Sequence, residues 1–241
     1  MKVVGIIQAR TGSTRLPSKV LMPLGNRTVL EVVIERVRAA CNLDQVIVAT
    51  TVEPRDQGIA ELCERLNILC TRGSESDVLE RYYQSAKQYG ADAIIRVTSD
   101  CPLVDSNTID EIVRIHRALP HYDYILKDKM PIGLTSELFT MKALEDAFMN
   151  MNADHHREHI VTAFTEYTDR YRSFIYECPG LLNNPQLRLT LDTREDYELL
   201  STLFHVFSES APLISVTEVV AFMNNQPELK ALNDSTKNSL P

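Results

Sequence analysis

The chain has 241 residues, a net charge of −8 and 44% hydrophobic residues. That length suits one large α/β domain, the acidic balance argues against general nucleic-acid binding, and no apolar run reaches the ~18 residues of a membrane span. Cys41, Cys63, Cys70, Cys101 and Cys178 include no C-x-x-C pair and the N-terminus shows no signal-peptide progression, so free thiols in a reducing cytoplasm are expected.

Residues 3–7 (Val-Val-Gly-Ile-Ile) are uncharged and read as a buried strand. The loop that leaves it, residues 8–19, has one glycine (Gly12), four hydroxyl residues and the cations Arg10, Arg15 and Lys19. Small residues let backbone N–H groups approach a ligand, and cations answer phosphate charge. The loop matches neither the G-x-x-x-x-G-K-[ST] nor the G-x-G-x-x-G pattern.

Thr28 and Glu31 have capping-box spacing, and Leu30, Val33, Ile34, Val37 and Cys41 continue at helical spacing. Residues 45–50 read as a strand, 54–66 as a helix entered through Pro54, and 68–70 as a short strand. Ser74 or Ser76 is expected to cap a helix through Ala86, residues 93–98 to form the fourth strand, and Asp105 or Ser106 to cap a helix ending near His116. This alternation predicts a mostly parallel sheet with helices on both faces.

After residue 120 the alternation breaks. Residues 122–126 and 132–139 read as strands joined by a turn through Lys129, 141–149 and 155–168 as helices, and 172–178 as strand-like. A last strand is expected over 187–191, a helix from Thr193 to about Phe207, another from Ser215, and a polar tail over 225–241. We read one domain over 1–241, with a small β/helical substrate-side or dimerisation subregion over 121–185.

Ligands of open parallel sheets bind beyond the carboxyl ends of the strands. Asp100 and Asp192 both follow predicted strands, and two carboxylates plus phosphates suit Mg²⁺, although either residue could simply cap a helix. Asp105 reads as a cap, and Cys101 as a small buried hydrophobe. His155-His156-Arg157-Glu158-His159 contains H-x-x-E-H, in which His155 and His159 could share a zinc with Glu158 as base. The sequence favours a polar helix start capped by Asp154, hence a protein without stoichiometric zinc and without peptidase activity.

Residues 8–21, Gln-Ala-Arg-Thr-Gly-Ser-Thr-Arg-Leu-Pro-Ser-Lys-Val-Leu, resemble the N-terminal signature of the cytidylyltransferases that activate acidic sugars. These include the 3-deoxy-manno-octulosonate and acylneuraminate enzymes, and the resemblance is strongest to the branch of SpsF-type spore-coat polysaccharide biosynthesis proteins. Residues 76–83, Gly133-Leu134, Arg157-Glu158-His159 and the Asp-Thr-Arg-Glu-Asp segment at 192–196 extend the likeness over roughly 3–200. It implies a Rossmann-like nucleotide-diphospho-sugar transferase fold, a homodimer, and transfer of CMP from CTP to an acidic sugar with release of pyrophosphate. It further implies that Gln8, Ala9, Arg10, Gly12, Ser13, Arg15, Lys19 and Ser99 bind the nucleotide, and that Asp100 and Asp192 hold Mg²⁺. Arg10, Lys19 and Asp100 would be catalytic, with Gly133, Glu137, Arg157 and His159 on the substrate side. The alternatives are a nucleotide-sugar-dependent glycosyltransferase on the same fold and an inactive nucleotide-binding regulator. The middle third differs from the sugar-acid enzymes, which leaves the sugar open.

Overall fold

A computed structural model describes residues 1–233. At the centre is β1 (Val3–Gln8), buried from Val3 to Ile7. The loop over 9–18 and one 3-10 turn, Lys19–Leu21, lead into the small ribbon of β2 (Pro23–Leu24) and β3 (Arg27–Thr28). Thr28 and Glu31 form the expected reciprocal cap of α1 (Val29–Arg38). There follow β4 (Gln45–Thr51), α2 (Gln57–Arg65), β5 (Leu69–Gly73), α3 (Val78–Gln88), β6 (Ala93–Thr98) and α4 (Ser106–Ala118). The second half adds β7 (Tyr124–Asp128), β8 (Glu137–Thr140), α5 (Met141–Asn150), α6 (Asp154–Glu158) and α7 (Ile160–Glu166). It ends with β9 (Ser173–Glu177), α8 (Arg194–Val206), α9 (Val216–Asn224) and α10 (Pro227–Ala231).

The sheet runs β5-β4-β1-β6-β8-β7-β9. It is parallel from β5 to β6, β8 is antiparallel to both its neighbours, and β9 is parallel to β7. Alternate residues of a strand face opposite sides, so Ile7, Val48 and Ile95 pack with Val33, Leu62 and Ile112, while Ile6, Ile47 and Ile94 pack with Tyr82, Leu144 and Phe164. Helices thus cover both faces, as the alternation predicts. The strands of the 121–185 subregion lengthen this same sheet. A third apolar cluster joins Leu189 and Leu191 to Leu199, Leu203 and Val219 of α8 and α9.

Four local expectations need correction. The strand expected over 187–191 is reduced to one parallel bridge, Ile132 to Arg188. Its backbone is divided between two partners: Leu189 N–H donates to Ile132 O and Leu191 N–H to Asp100 O, each at 2.8 Å. The strand expected over 132–139 shortens to β8 because Gly133, at φ +95°, interrupts the extended chain. The helix expected over 155–168 breaks at His159, whose φ −116° and ψ 80° separate α6 from α7. There Thr162 Oγ1 donates to His159 O at 2.6 Å, a local bond that competes with the helical ladder. Finally, Asp77 caps α3 by accepting from Glu80 N–H at 2.8 Å, while Ser74 Oγ accepts from Asp77 N–H one step earlier. Of the expected tail, residues 227–231 form α10 and residues 234–241 lie outside the described residues.

Candidate active site

The loop after β1 is held by a residue from another strand end. Asp56 is fully buried and accepts from Thr11 N–H (2.7 Å) and Thr11 Oγ1 (2.6 Å), and also from Thr51 Oγ1 at the end of β4. Burial alone would raise the Asp56 pKa; the donors Thr11 and Thr51, with Arg55, hold it below the ordinary value instead. Ser18 closes the loop by donating its N–H to Thr11 O at 3.0 Å, from a left-handed conformation at φ 56°. Fixed at both points, the loop walls a cavity of about 400 Å³ beyond the ends of β1 and β6. Every residue of the expected nucleotide set lines it, from Gln8 to Lys19 and Ser99, together with Asp100 and His159.

Asp100, in the lining of this cavity, meets Asp192, which is not among the lining residues, because two chain segments are tied together. Asp100 O accepts from Leu191 N–H at 2.8 Å and from Thr190 Oγ1 at 3.1 Å, which brings Asp192 beside Asp100. Between them stands Lys19, whose Nζ donates to Asp100 Oδ2 (2.8 Å), Asp192 Oδ1 (2.8 Å) and Leu191 O (2.6 Å). Arg15 lies 3.3 Å from Asp192 Oδ1, and the buried Arg188 donates to Asp192 Oδ2 at 2.7 Å. Burial acts to raise the Asp192 pKa, but Lys19, Arg188 and Arg15 outweigh it and hold the carboxyl low. The result is two carboxylates converging on one cation, Asp100 just beyond β6 and Asp192 just before α8.

Comparison with known proteins agrees with this geometry. The cytidylyltransferase family profile matches residues 4–230. The chain belongs to the cytidylyltransferase family. It is 38% identical to the uncharacterized protein MJ1063 of Methanocaldococcus jannaschii, covering 98% of this chain and 96% of the other. It is 33% identical to the spore coat polysaccharide biosynthesis protein SpsF of Bacillus subtilis, covering 94% and 95%. A cytidylyltransferase structure from Leptospira borgpetersenii superposes with a TM-score of 0.88 at 33% identity, covering 95% and 96%.

A second cavity of this cytidylyltransferase, about 780 Å³, opens beside the first and shares Arg10 and Glu158 with it. Their linings differ in charge. The first carries five cations (Arg10, Arg15, Lys19, Arg81, Arg96) against two carboxylates (Asp100, Glu158), and the second five carboxylates (Glu53, Glu75, Asp77, Asp154, Glu158) against Arg10 and Arg157. Arg10 bridges them, 3.9 Å from Glu75 and 3.8 Å from Glu158.

The residues expected on the substrate side are dispersed. His159 lines the first cavity. Glu137 pairs with Arg96 at 3.1 Å across the β6–β8 register, so it sets the angle of a cavity cation. Gly133 has a backbone role: a Cβ there would stand 2.8 Å from Leu189 O and Thr190 N. It permits the close crossing that delivers the chain to Asp192. Arg157 lines the second cavity with its donors already engaged, by Asp77 at 3.2 Å and Phe148 O at 2.9 Å, and it stacks over the Phe148 ring. Of the two histidines of the H-x-x-E-H pattern, His155 Nε2 meets Glu166 while His159 lines the first cavity. Nor does Asp154 cap α6, whose N-cap is Ala153 without a side-chain bond. Burial and the neighbouring Asp100 carboxylate push the Cys101 thiol up to about 12, which leaves it protonated near neutrality.

Three contributors were not picked out from the sequence. Asp56 gave no local signal, since its partners are 45 and 5 residues away. Arg188 was visible as a lone charge inside Leu187-Arg188-Leu189-Thr190-Leu191; buried at 1% exposure, it also donates to Asp196 at 3.0 and 3.1 Å. Arg96 breaks an apolar strand in the same way, and its Nε is buried without a hydrogen-bond partner among the described residues.

Proposed function

We propose that this cytidylyltransferase transfers CMP from CTP to an acidic sugar, releasing pyrophosphate, in surface-polysaccharide synthesis. The observation that carries this reading is the pair of adjoining cavities of opposite charge. The cationic one suits the triphosphate and one further anion; the acidic one suits a nucleoside, whose exocyclic amine and ribose hydroxyls donate to carboxylates. Arg10 at the junction is placed for the phosphate nearest the nucleoside, while Arg15 and the backbone N–H groups around Gly12 and Ser13 serve the departing pyrophosphate. Arg157 and Arg96 are both ion-paired, with Asp77 and Glu137, but Arg96 lines the cationic cavity and its buried Nε has no hydrogen-bond partner among the described residues, so we assign the acceptor's carboxylate to Arg96.

Asp100 and Asp192 fit Mg²⁺: two carboxylate oxygens and the Leu191 carbonyl all lie within 2.8 Å of one ammonium, which stands in for a cation among hard oxygen donors. The ion would neutralise α-phosphate charge and lower the pKa of the attacking hydroxyl. With that ion bound, Lys19 would be available as a ligand of the triphosphate.

The deciding experiment incubates the protein with CTP, Mg²⁺ and either N-acetylneuraminate or 3-deoxy-manno-octulosonate, with mass spectrometry of products and a pyrophosphate assay. A CMP-sugar with equimolar pyrophosphate is expected from sugar acids and from no neutral hexose. Release of a nucleoside diphosphate from a nucleotide sugar would replace this reading with glycosyl transfer.

A further inference from the structure

Three potential ligands, none of them in the lining of the first cavity, converge at the corner between α6 and α7. His155 Nε2 lies 3.2 Å, and His156 Nε2 2.8 Å, from the same oxygen, Glu166 Oε2. The ligand atoms all lie within 4.8 Å of one another, and among the described residues no other group of three such side chains is this close. Consecutive residues of a helix point roughly 100° apart, so two neighbouring imidazoles do not ordinarily reach one atom. Here the rings lie 3.9 Å apart at a 48° tilt, and Tyr167 packs its edge on His156 at 5.4 Å. The His156 side chain is 3% exposed and fixed, whereas His155 and Glu166, at 52% and 48%, are free to adjust.

We propose that His155, His156 and Glu166 bind one divalent transition-metal ion of the zinc class. Bonds of about 2.0–2.1 Å in a tetrahedral site place neighbouring ligands roughly 3.3 Å apart, close to the 3.2 and 2.8 Å separations of the two imidazoles from Glu166 Oε2. Two imidazoles and a carboxylate form a borderline-soft set that prefers Zn²⁺, Co²⁺ or Ni²⁺ to Mg²⁺, unlike the all-oxygen set at Asp100 and Asp192. A ring nitrogen acts as a ligand only when unprotonated, so binding weakens as pH falls. The bound ion would clamp α6, which carries Arg157 and Glu158 in the cavity walls, to the end of α7. This departs from the zinc-free protein expected from the sequence because the ligand set is a different one.

The test titrates Zn²⁺ by calorimetry, and Co²⁺ by visible absorption, into the full chain in excess Mg²⁺, which fills oxygen-only sites. One equivalent is expected, with the strong visible bands of four-coordinate, nitrogen-ligated Co²⁺. His155→Ala and Glu166→Gln should each raise Kd tenfold or more, and His159→Ala should leave it unchanged. Circular dichroism confirms that these surface variants fold. Absence of binding, binding that survives both ligand substitutions, or binding lost in His159→Ala would each overturn the proposal.

Discussion

Lys19 is 9% exposed between two carboxylates. Burial by itself would lower its pKa, yet Asp100 and Asp192 raise it, so it stays charged throughout the working range. Lys19→Met would leave the two carboxylates facing one another without their cation and would remove a phosphate ligand. We expect kcat/KM for CTP to fall by about 10²-fold or more, with cytidine binding unchanged, as steady-state kinetics and calorimetry would show. Equal losses for CTP and cytidine would assign Lys19 to the fold. At Gly133 the backbone itself is at stake. Gly133→Ala combines a positive φ with a Cβ 2.8 Å from the Leu189 carbonyl, and should destabilise the protein by more than about 1 kcal/mol in urea unfolding. It should also reduce turnover, since the displaced segment leads to Asp192; unchanged stability would refute the close crossing.

At the scale of elements, the phosphate loop owes its shape to the turn that follows β4. Asp56 accepts two hydrogen bonds from Thr11 and one from Thr51, and hydrogen bonds to a charged group are worth about 1.5–3 kcal/mol each. Asp56→Ala should therefore cost about 3 kcal/mol or more and raise KM for CTP, although Asp56 itself lines neither cavity. A variant that binds CTP normally would show that the loop holds its shape without this anchor. The start of α8 works by similar means. Asp196 accepts from Asp192 N–H, Thr193 N–H and Arg188, so the cap of one helix also orients a carboxylate of the site.

For the whole molecule, the net charge of −8 contrasts with a cavity whose cations outnumber its carboxylates. The carboxyls of Asp56 and Asp192 both sit below their ordinary value in the folded chain. Unfolding returns them to about 3.9, so the unfolded chain binds protons first as pH falls. Their stabilisation is complete above that value and drains away as pH drops through it toward their folded values. Urea unfolding should thus show their full contribution, with no pH dependence from them, between about pH 5 and pH 8, and a decline below about pH 4. Asp56→Asn should have a shallower acid limb than the parent; identical limbs would show that its carboxylate is not held low.

The sequence by itself determined the βα alternation, the buried first strand, the capping box at Thr28, the helix start at Thr193, and the cation-rich loop. It also put Asp100 at the end of a strand. Those features rest on periodicity and on bonds spanning three or four residues, and both are written locally. Tertiary structure decided the rest. It alone shows that Asp192 reaches Asp100 through the Leu191 to Asp100 hydrogen bond, and that 187–191 spends its backbone on two partners. It alone shows that Asp56 anchors the loop, that Gly133 is a crossing point, and that His155 turns to Glu166. Each of these is a contact between segments far apart in the chain or across a helix break. Its partner is chosen by packing of the whole sheet and its helices, and no nearby residue records that choice.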